Sequence, residues 1–142
     1  MEPQPSVQHV GNFQKLPATA IYFSQVKVSR RFTDGSSLRR ATQNFCSGRA
    51  DAFPPIRVGL IHGQWFSVDN RRLTAAKMAS KCTGREVYIN VEFVDVRKFP
   101  HRFDTISGGT SVEVRGTGCS VLWNGDIVPN FGVPVGGALF AC

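Results

Sequence analysis

Apolar and polar residues alternate most regularly along residues 86–94. The apolar positions of this run are Val87, Ile89, Val91 and Phe93. An alternation of period two predicts a β-strand with one buried face. Shorter runs rich in β-branched and aromatic residues predict further strands at 20–24, 56–61, 64–68, 111–116 and 121–123. His62 and Gly63 separate two of these runs and predict a tight hairpin turn.

Two other segments carry apolar residues at helical spacing. The first starts after Ser36 or Ser37 as N-cap and stops at Gly48, and its apolar positions are Leu38, Ala41, Thr42 and Phe45. The second runs over about 70–80 and stops at Gly84. Its inner face is predicted to hold Leu73, Ala76 and Ala79 or Ser80.

The length of the chain favours one domain. It has 142 residues, of which 42% are hydrophobic and 11 are Phe, enough for a single core. Residues 1–17 hold three of the eight prolines and little periodicity, so we expect a flexible leader there. The folded domain is then expected over 18–142, although the glycine- and proline-rich residues 128–142 give no element.

The charge of the chain points to anionic partners. Seventeen Lys and Arg face ten Asp and Glu, which gives a net charge of +7 and a pI near 9.8. Most of the basic residues are arginines, which suit bidentate phosphate recognition better than lysines do. Nucleic acid, nucleotides and anionic lipid fit this balance, while simple solubility is the alternative.

No window approaches the ~18 apolar residues that span a bilayer, and no signal peptide is visible. We therefore expect no membrane partner, and either a cytoplasmic protein or one delivered into a target cell. The four cysteines show no Cys-x-x-Cys spacing, so free thiols are expected. The histidines have no partner at metal-ligand spacing, so no histidine metal site is expected.

The strongest candidate site lies where the strand at 64–68 gives way to the second helix. Asp69 or Asn70 stands at the N-cap, and Arg71 and Arg72 fall in the first helical turn. The helix dipole disfavours cations there by a few tenths of a kcal/mol, roughly. Two arginines placed against that gradient indicate a bound anion, which the helix amides would also hold.

Three motifs resemble the ParB/sulfiredoxin-like superfamily, in particular ParB-like domains found as nuclease or toxin modules. They are Phe-Thr-Asp-Gly-Ser-Ser-Leu (32–38), Pro-Pro-Ile-Arg-Val (54–58) and Trp-Phe-Ser-Val-Asp-Asn-Arg-Arg-Leu (65–73). The resemblance covers residues 21–96. It implies an α+β fold, a single compact domain with a small mixed sheet packed with short helices, to which a β-rich, glycine-containing C-terminal extension is added.

In chromosome-partitioning ParB proteins the corresponding motif, Gly-Glu-Arg-Arg, contacts the phosphates of a nucleotide. Here Asp69 and Asn70 replace the Gly-Glu pair, while Arg71 and Arg72 match. The resemblance therefore implies that Asn70, Arg71 and Arg72 bind phosphate. CTP hydrolysis of the partitioning type is not expected, nor is sulfinate reduction, because the cysteine of sulfiredoxins is missing beside Arg71. A kinase branch of the superfamily leaves phosphoryl transfer open.

The candidate catalytic residues are the carboxylates Asp69 and Asp34, as general base or metal contact. Helix capping and turn formation are the alternatives for both. Candidate nucleic-acid contacts are Arg30, Arg31, Trp65 and Lys77, with ordinary surface or core packing as the alternative. The one cofactor considered is Mg²⁺ bound together with a nucleotide.

The resemblance, together with these residues and the basic charge, implies three alternative functions. The first is a DNA nuclease, as a toxin effector with a cognate inhibitor protein. The second is a nucleotide-dependent phosphotransferase or NTPase on the same scaffold. The third is a noncatalytic nucleic-acid-binding module.

Overall fold

The computed structural model describes residues 10–32 and 34–130. Within these ranges the chain forms nine strands and two α-helices. The strands are β1 (Phe13–Pro17), β2 (Ile21–Tyr22), β3 (Lys27–Val28), β4 (Ile56–Ile61), β5 (Gln64–Ser67), β6 (Tyr88–Phe93), β7 (Ser111–Val114), β8 (Cys119–Leu122) and β9 (Ile127–Pro129). The helices are α1 (Leu38–Cys46) and α2 (Asn70–Thr83). The expected α+β class is confirmed.

The first sheet is mixed and has the strand order β1-β6-β4-β5-β2. β4 and β5 form the expected antiparallel hairpin, with His62 and Gly63 in its turn at φ 49° and 78°. β4 also pairs in parallel with β6, and β2 pairs in parallel with β5. The alternation along β6 is confirmed, since Ile89, Val91 and Phe93 are buried.

The second sheet has the order β3-β7-β8-β9. β7, β8 and β9 form an antiparallel meander, and the short strand β3 adds in parallel to β7. The strands expected at 111–116 and 121–123 are therefore present with shifted ends. Residues 131–142, in the segment that the sequence left unplaced, lie outside the described residues.

Helix α1 matches its prediction. The Ser37 hydroxyl accepts a hydrogen bond from the Arg40 amide at 3.1 Å and caps the helix. Its buried side chains are Leu38, Ala41, Thr42 and Phe45, the set given by the helical spacing. Gly48, at φ 76°, follows the helix end.

Helix α2 differs from its prediction. It extends to Thr83, three residues beyond the predicted end near residue 80, although the expected stop at Gly84 is confirmed by its φ of 68°. Residues 73–80 are all buried, so the helix lies inside the domain instead of presenting one face to water. It packs against α1 and β6, and the turn between β8 and β9 covers its remaining side at Gly125.

The expected leader is corrected by β1, which pairs antiparallel with β6 from Phe13 opposite Glu92 to Pro17 opposite Tyr88. Because this edge strand is mostly exposed, its sequence lacks the alternation of apolar and polar residues from which a strand is predicted. Residues 1–9 of the expected leader lie outside the described residues.

Two further expectations need correction. The first predicted strand, 20–24, is shortened to β2 because the Phe23 amide donates to Gly109 and the Ser24 amide to the side chain of Asn70. Cys82 is disulfide-bonded, which corrects the expectation of a free thiol there, whereas the buried Cys119 is a free thiol as expected. The described part of the chain contains no helix with the length and apolarity to cross a membrane.

Candidate functional site

A cleft of about 690 Å³ opens at the start of α2. Its lining comes from that helix start, from β3 and β4, and from the loops that precede α1 and β4. Arg102 and Arg115, from the later part of the chain, complete it. Both sheets therefore contribute to one site.

The lining is strongly cationic. Its charged side chains are Lys27, Arg57, Arg71, Arg72, Arg102 and Arg115 against the two carboxylates Asp34 and Asp69. Six cations and two carboxylates leave an excess of four positive charges. Such a concentration in one concave site raises the local concentration of anions.

Asp69 occupies the N-cap position of α2, but its side chain makes no capping bond. Its Oδ2 accepts from the Arg57 amide at 2.8 Å and from Arg57 Nε at 3.0 Å, while Oδ1 accepts from Arg57 Nη2 at 2.6 Å. Burial alone would raise the pKa of Asp69, but the hydrogen bonds from Arg57 and the charge of Arg72 lower it below its usual value. A carboxylate held in this way suits positioning of arginines more than proton abstraction.

Arg72 is also part of the framework. Its Nη1 donates to the carbonyls of Pro54 and Pro55, and its Nη2 lies 3.5 Å from Asp69 Oδ2. The side chain is 19% exposed, and this burial lowers the pKa of Arg72. Arg72 thus fixes the loop before β4 against α2 while it lines the cleft.

Arg71 has a different environment. Its Nη1 donates to the carbonyl of Arg31 at 2.7 Å, and its guanidinium lies 5.5 Å from the centre of the Phe32 ring. Among the described residues, no carboxylate lies within ion-pair distance of Arg71. Its charge is therefore available to a ligand in the cleft.

Asn70 holds the cleft wall together. Its Oδ1 accepts from the Ser24 amide at 2.8 Å, and its Nδ2 donates to Ser24 Oγ at 2.9 Å and Gln25 Oε1 at 3.2 Å. The side chain is buried, and both amide hydrogens are engaged. Asn70 therefore ties the end of β2 to the helix start, which leaves little of it for a phosphate.

Asp34 is the exposed carboxylate of the cleft. Its Oδ1 accepts from the hydroxyl of Ser36 at 2.6 Å and from the amide of Ser36 at 2.9 Å. These bonds lower the pKa of Asp34, so the group is ionised at neutral pH. It is the carboxylate better placed to meet a ligand.

The four expected nucleic-acid contacts lie in different positions relative to the cleft. Arg30 and Arg31 are exposed and flank the cleft without lining it, and the Arg31 carbonyl positions Arg71. Trp65 packs on Phe93 at 4.8 Å between ring centres, away from the cleft. The expectation for Lys77 is corrected, because this side chain is fully buried and cannot reach a nucleic acid.

Lys77 serves instead to join the two sheets. Its Nζ donates to the carbonyl of Ala18 at 2.8 Å and to the carbonyl of Trp123 at 2.9 Å, and it lies 5.2 Å from the centre of the Phe23 ring. Burial lowers the pKa of Lys77 to about 7, although Glu86 opposes the shift.

Sequence reasoning missed four cleft cations: Lys27, Arg57, Arg102 and Arg115. Arg57 had a usable signal, since it is the polar position between the buried Ile56 and Val58 of a short apolar strand. Lys27 and Arg115 had none, because only pairing between β3 and β7 brings them together. In residues 10–32 and 34–130, no three His, Cys, Asp or Glu side chains group as metal ligands.

The chain matches no protein-family model, no curated protein and no solved structure.

Proposed function

We propose that this protein is a ParB/sulfiredoxin-like domain whose cleft binds the phosphates of DNA and hydrolyses a phosphodiester bond. One observation carries the proposal: six cationic side chains line a single cleft at the start of α2, together with one exposed carboxylate, Asp34. Phosphate oxygens are the ligands that arginines and helix amides hold best.

The residues divide into two roles under this proposal. Arg71, Arg102 and Arg115 meet the phosphate, because no carboxylate among the described residues pairs with them. Asp69 positions Arg57 and Arg72, which face the same cleft. Fixed positive charge of this kind stabilises the negative charge that develops during phosphoryl transfer.

Asp34 is the proposed general base. Unlike Asp69, it is not paired with an arginine among the described residues: Ser36 donates to its Oδ1, and the carboxylate is exposed in the cleft, where it would accept a proton from the attacking water. If Mg²⁺ accompanies the substrate, Asp34 and phosphate oxygens are the ligands that it prefers. A toxin effector role, with a cognate inhibitor and delivery into a target cell, is proposed from the resemblance to toxin modules alone.

A nucleotide-dependent phosphotransferase or NTPase is the second candidate. The cleft volume of about 690 Å³ favours it, since this lies within the usual size of small-molecule sites. A noncatalytic nucleic-acid-binding module is the remaining alternative, and the cationic lining would serve it equally.

Nicking of supercoiled plasmid over a screen of divalent ions and pH tests the proposal. We expect wild-type nicking, its strong reduction in Arg71→Ala, and its loss in Arg71→Ala with Arg72→Ala. The matched control removes two exposed arginines outside the cleft, Arg39→Ala with Arg49→Ala, and should keep activity. Thermal melting checks folding, because Arg72 also holds the loop before β4.

Three outcomes separate the candidates. A wild type that nicks nothing throughout the screen contradicts the nuclease. Stabilisation by ATP, ADP or CTP but not by DNA selects the phosphotransferase or NTPase. Salt-sensitive DNA binding without turnover selects the binding module.

A further inference from the structure

We propose that the cleft holds a single-stranded stretch of nucleic acid through two separate phosphate positions, one at the junction of β4 and α2 and one beside β3 and β7. This inference rests on the proposed function and deepens it, because it names the substrate as a polynucleotide strand and not a mononucleotide.

The first phosphate position lies at the junction of β4 and α2. Asp69 holds the guanidinium of Arg57 through two hydrogen bonds and lies 3.5 Å from that of Arg72. Arg71 is held over Phe32 and by the Arg31 carbonyl. The orientation of all three arginines is therefore fixed before a ligand arrives, which lowers the entropic cost of binding.

The second phosphate position lies on the other sheet. Parallel pairing sets Lys27 opposite Glu113 and Val28 opposite Val114, and the Arg115 amide donates to the Val28 carbonyl at 3.0 Å. Lys27 thus lies in β3, and Arg115 directly follows the adjacent strand β7. Arg115 is exposed, and no carboxylate among the described residues lies within ion-pair distance of it. Lys27 lies 3.8 Å from Glu113, but both side chains are exposed, so this pair is weak.

The distribution of charge selects the ligand. A nucleoside triphosphate carries about as much negative charge as the excess of positive charge here, but on three adjacent phosphates. In the cleft, Arg57, Arg71 and Arg72 lie at the junction of β4 and α2, whereas Lys27 and Arg115 lie at β3 and just after β7, and this division matches charges spaced along a nucleic-acid strand. Phosphodiester groups supply one charge per nucleotide at regular intervals.

Aromatic side chains in the same cleft favour a single strand. Phe32 and Phe53 line it and are partly buried: the Arg71 guanidinium lies 5.5 Å from the centre of the Phe32 ring, and Phe53 is stacked on Phe45 with 4.7 Å between the ring centres. A positive groove with aromatic rings is the usual combination for single-stranded nucleic acid, because unpaired bases stack on the rings whatever their sequence.

The test measures binding of fluorescein-labelled (dT)₁₀ by anisotropy between 50 and 300 mM NaCl, with TMP and ATP as competitors and a hairpin duplex for comparison. We expect (dT)₁₀ to bind more tightly than either mononucleotide and the duplex. For a single strand, each phosphate contact contributes about −0.7 to the slope of log affinity against log salt. Arg115→Ala should therefore make the slope shallower by about 0.7, whereas the exposed control Arg39→Ala should leave it unchanged.

The outcomes keep this inference separate from the nuclease proposal. (dT)₁₀ binding with the expected Arg115→Ala effect supports the two positions even if no DNA is cut. An unchanged slope in Arg115→Ala, or TMP or ATP binding as tightly as (dT)₁₀, overturns the inference even if plasmid is nicked. Tighter binding of the duplex overturns its single-strand part.

Discussion

Arg57 donates to both carboxylate oxygens of Asp69, with Nε 3.0 Å from Oδ2 and Nη2 2.6 Å from Oδ1. The Asp69 side chain is 10% exposed and that of Arg57 is 35% exposed. The pair therefore lies at the edge of the core, where its two hydrogen bonds fix the direction in which Arg57 faces the cleft. The N-cap residue of α2 is thus used to orient an arginine on a neighbouring strand.

Asp69→Asn should lower the free energy of unfolding by about 2 kcal/mol, because Arg57 and Arg72 lose their anionic partner. This is less than a fully buried pair would lose, since Arg57 is partly exposed. Urea unfolding at pH 7 measures the change. The matched control is Asp95→Asn, which breaks a two-bonded pair with the exposed Arg97 and should change stability much less. Equal losses in the two variants would contradict the role of Asp69.

The Asp69 contribution should also depend on pH. Since the pKa of Asp69 is lowered in the folded protein, its stabilisation is present above the ordinary value of 3.8 and is lost as pH falls through the folded value. Wild type and Asp69→Asn should therefore converge in stability below pH 3.8. If the difference in free energy of unfolding between the two proteins stayed constant down to pH 2, the charge of Asp69 would not be the cause of its stabilising effect.

Asp34→Asn should lower the nicking rate by about 100-fold or more, the usual effect of losing a general base. Binding of DNA should remain, because the amide keeps the shape of the side chain and its oxygen still accepts from Ser36. Single-turnover nicking and anisotropy measure the two quantities. Asp51→Asn is the control, since Asp51 is an exposed carboxylate that pairs with Asn90 and Lys15 outside the cleft. Full activity of Asp34→Asn would exclude Asp34 as the base.

Gly125→Ala should detach the turn between β8 and β9 from helix α2. Gly125 adopts φ 92°, and a Cβ there would overlap the carbonyl oxygen of Lys77. Gly63→Ala is the matched control, because Gly63 adopts φ 78° with open space around it. Gly63→Ala should cost about 1–2 kcal/mol through backbone strain alone. Gly125→Ala should cost clearly more in thermal or urea unfolding, and equal costs would contradict the close approach.

Lys77 should make stability rise with pH. Burial lowers the pKa of Lys77 from 10.5 to about 7, so between these values the unfolded chain binds a proton that the folded protein lacks. The free energy of unfolding should thus increase from pH 7 towards pH 10.5, by a few kcal/mol in total, roughly. A neutral amine still has two hydrogens for the Ala18 and Trp123 carbonyls.

The variant Lys77→Met provides the comparison for this pH effect. It should be less stable than wild type at pH 9, because both carbonyls lose their donor. Its free energy of unfolding should also lack the part of the rise above pH 7 that Lys77 contributes in wild type. Any change caused by the other titrating groups should be the same in both proteins. Urea unfolding at pH 6 to 9.5 gives both curves. Parallel curves would contradict titration of Lys77 in this range.

Local patterns in the sequence were enough for the elements whose signals are short-range. Helix α1 follows from the spacing of Leu38, Ala41, Thr42 and Phe45 and from the Ser37 cap, all within ten residues. The hairpin at His62 and Gly63 and the buried face of β6 follow in the same way. The sequence also indicated the start of α2 as the site, because arginines in a first helical turn oppose the dipole.

The tertiary structure alone decided which other charges reach the site. Lys27 and Arg115 are brought together by pairing of two short strands far apart in the chain, which no local period records. The sequence placed Lys77 of α2 among the nucleic-acid contacts, but the turn at Trp123 and Gly125 packs on it and buries it. Burial and strand pairing depend on what packs against a residue from elsewhere in the chain. The sequence therefore determined that helix α2 begins with Arg71 and Arg72. Only the fold determined that these arginines share a cleft with Lys27 and Arg115.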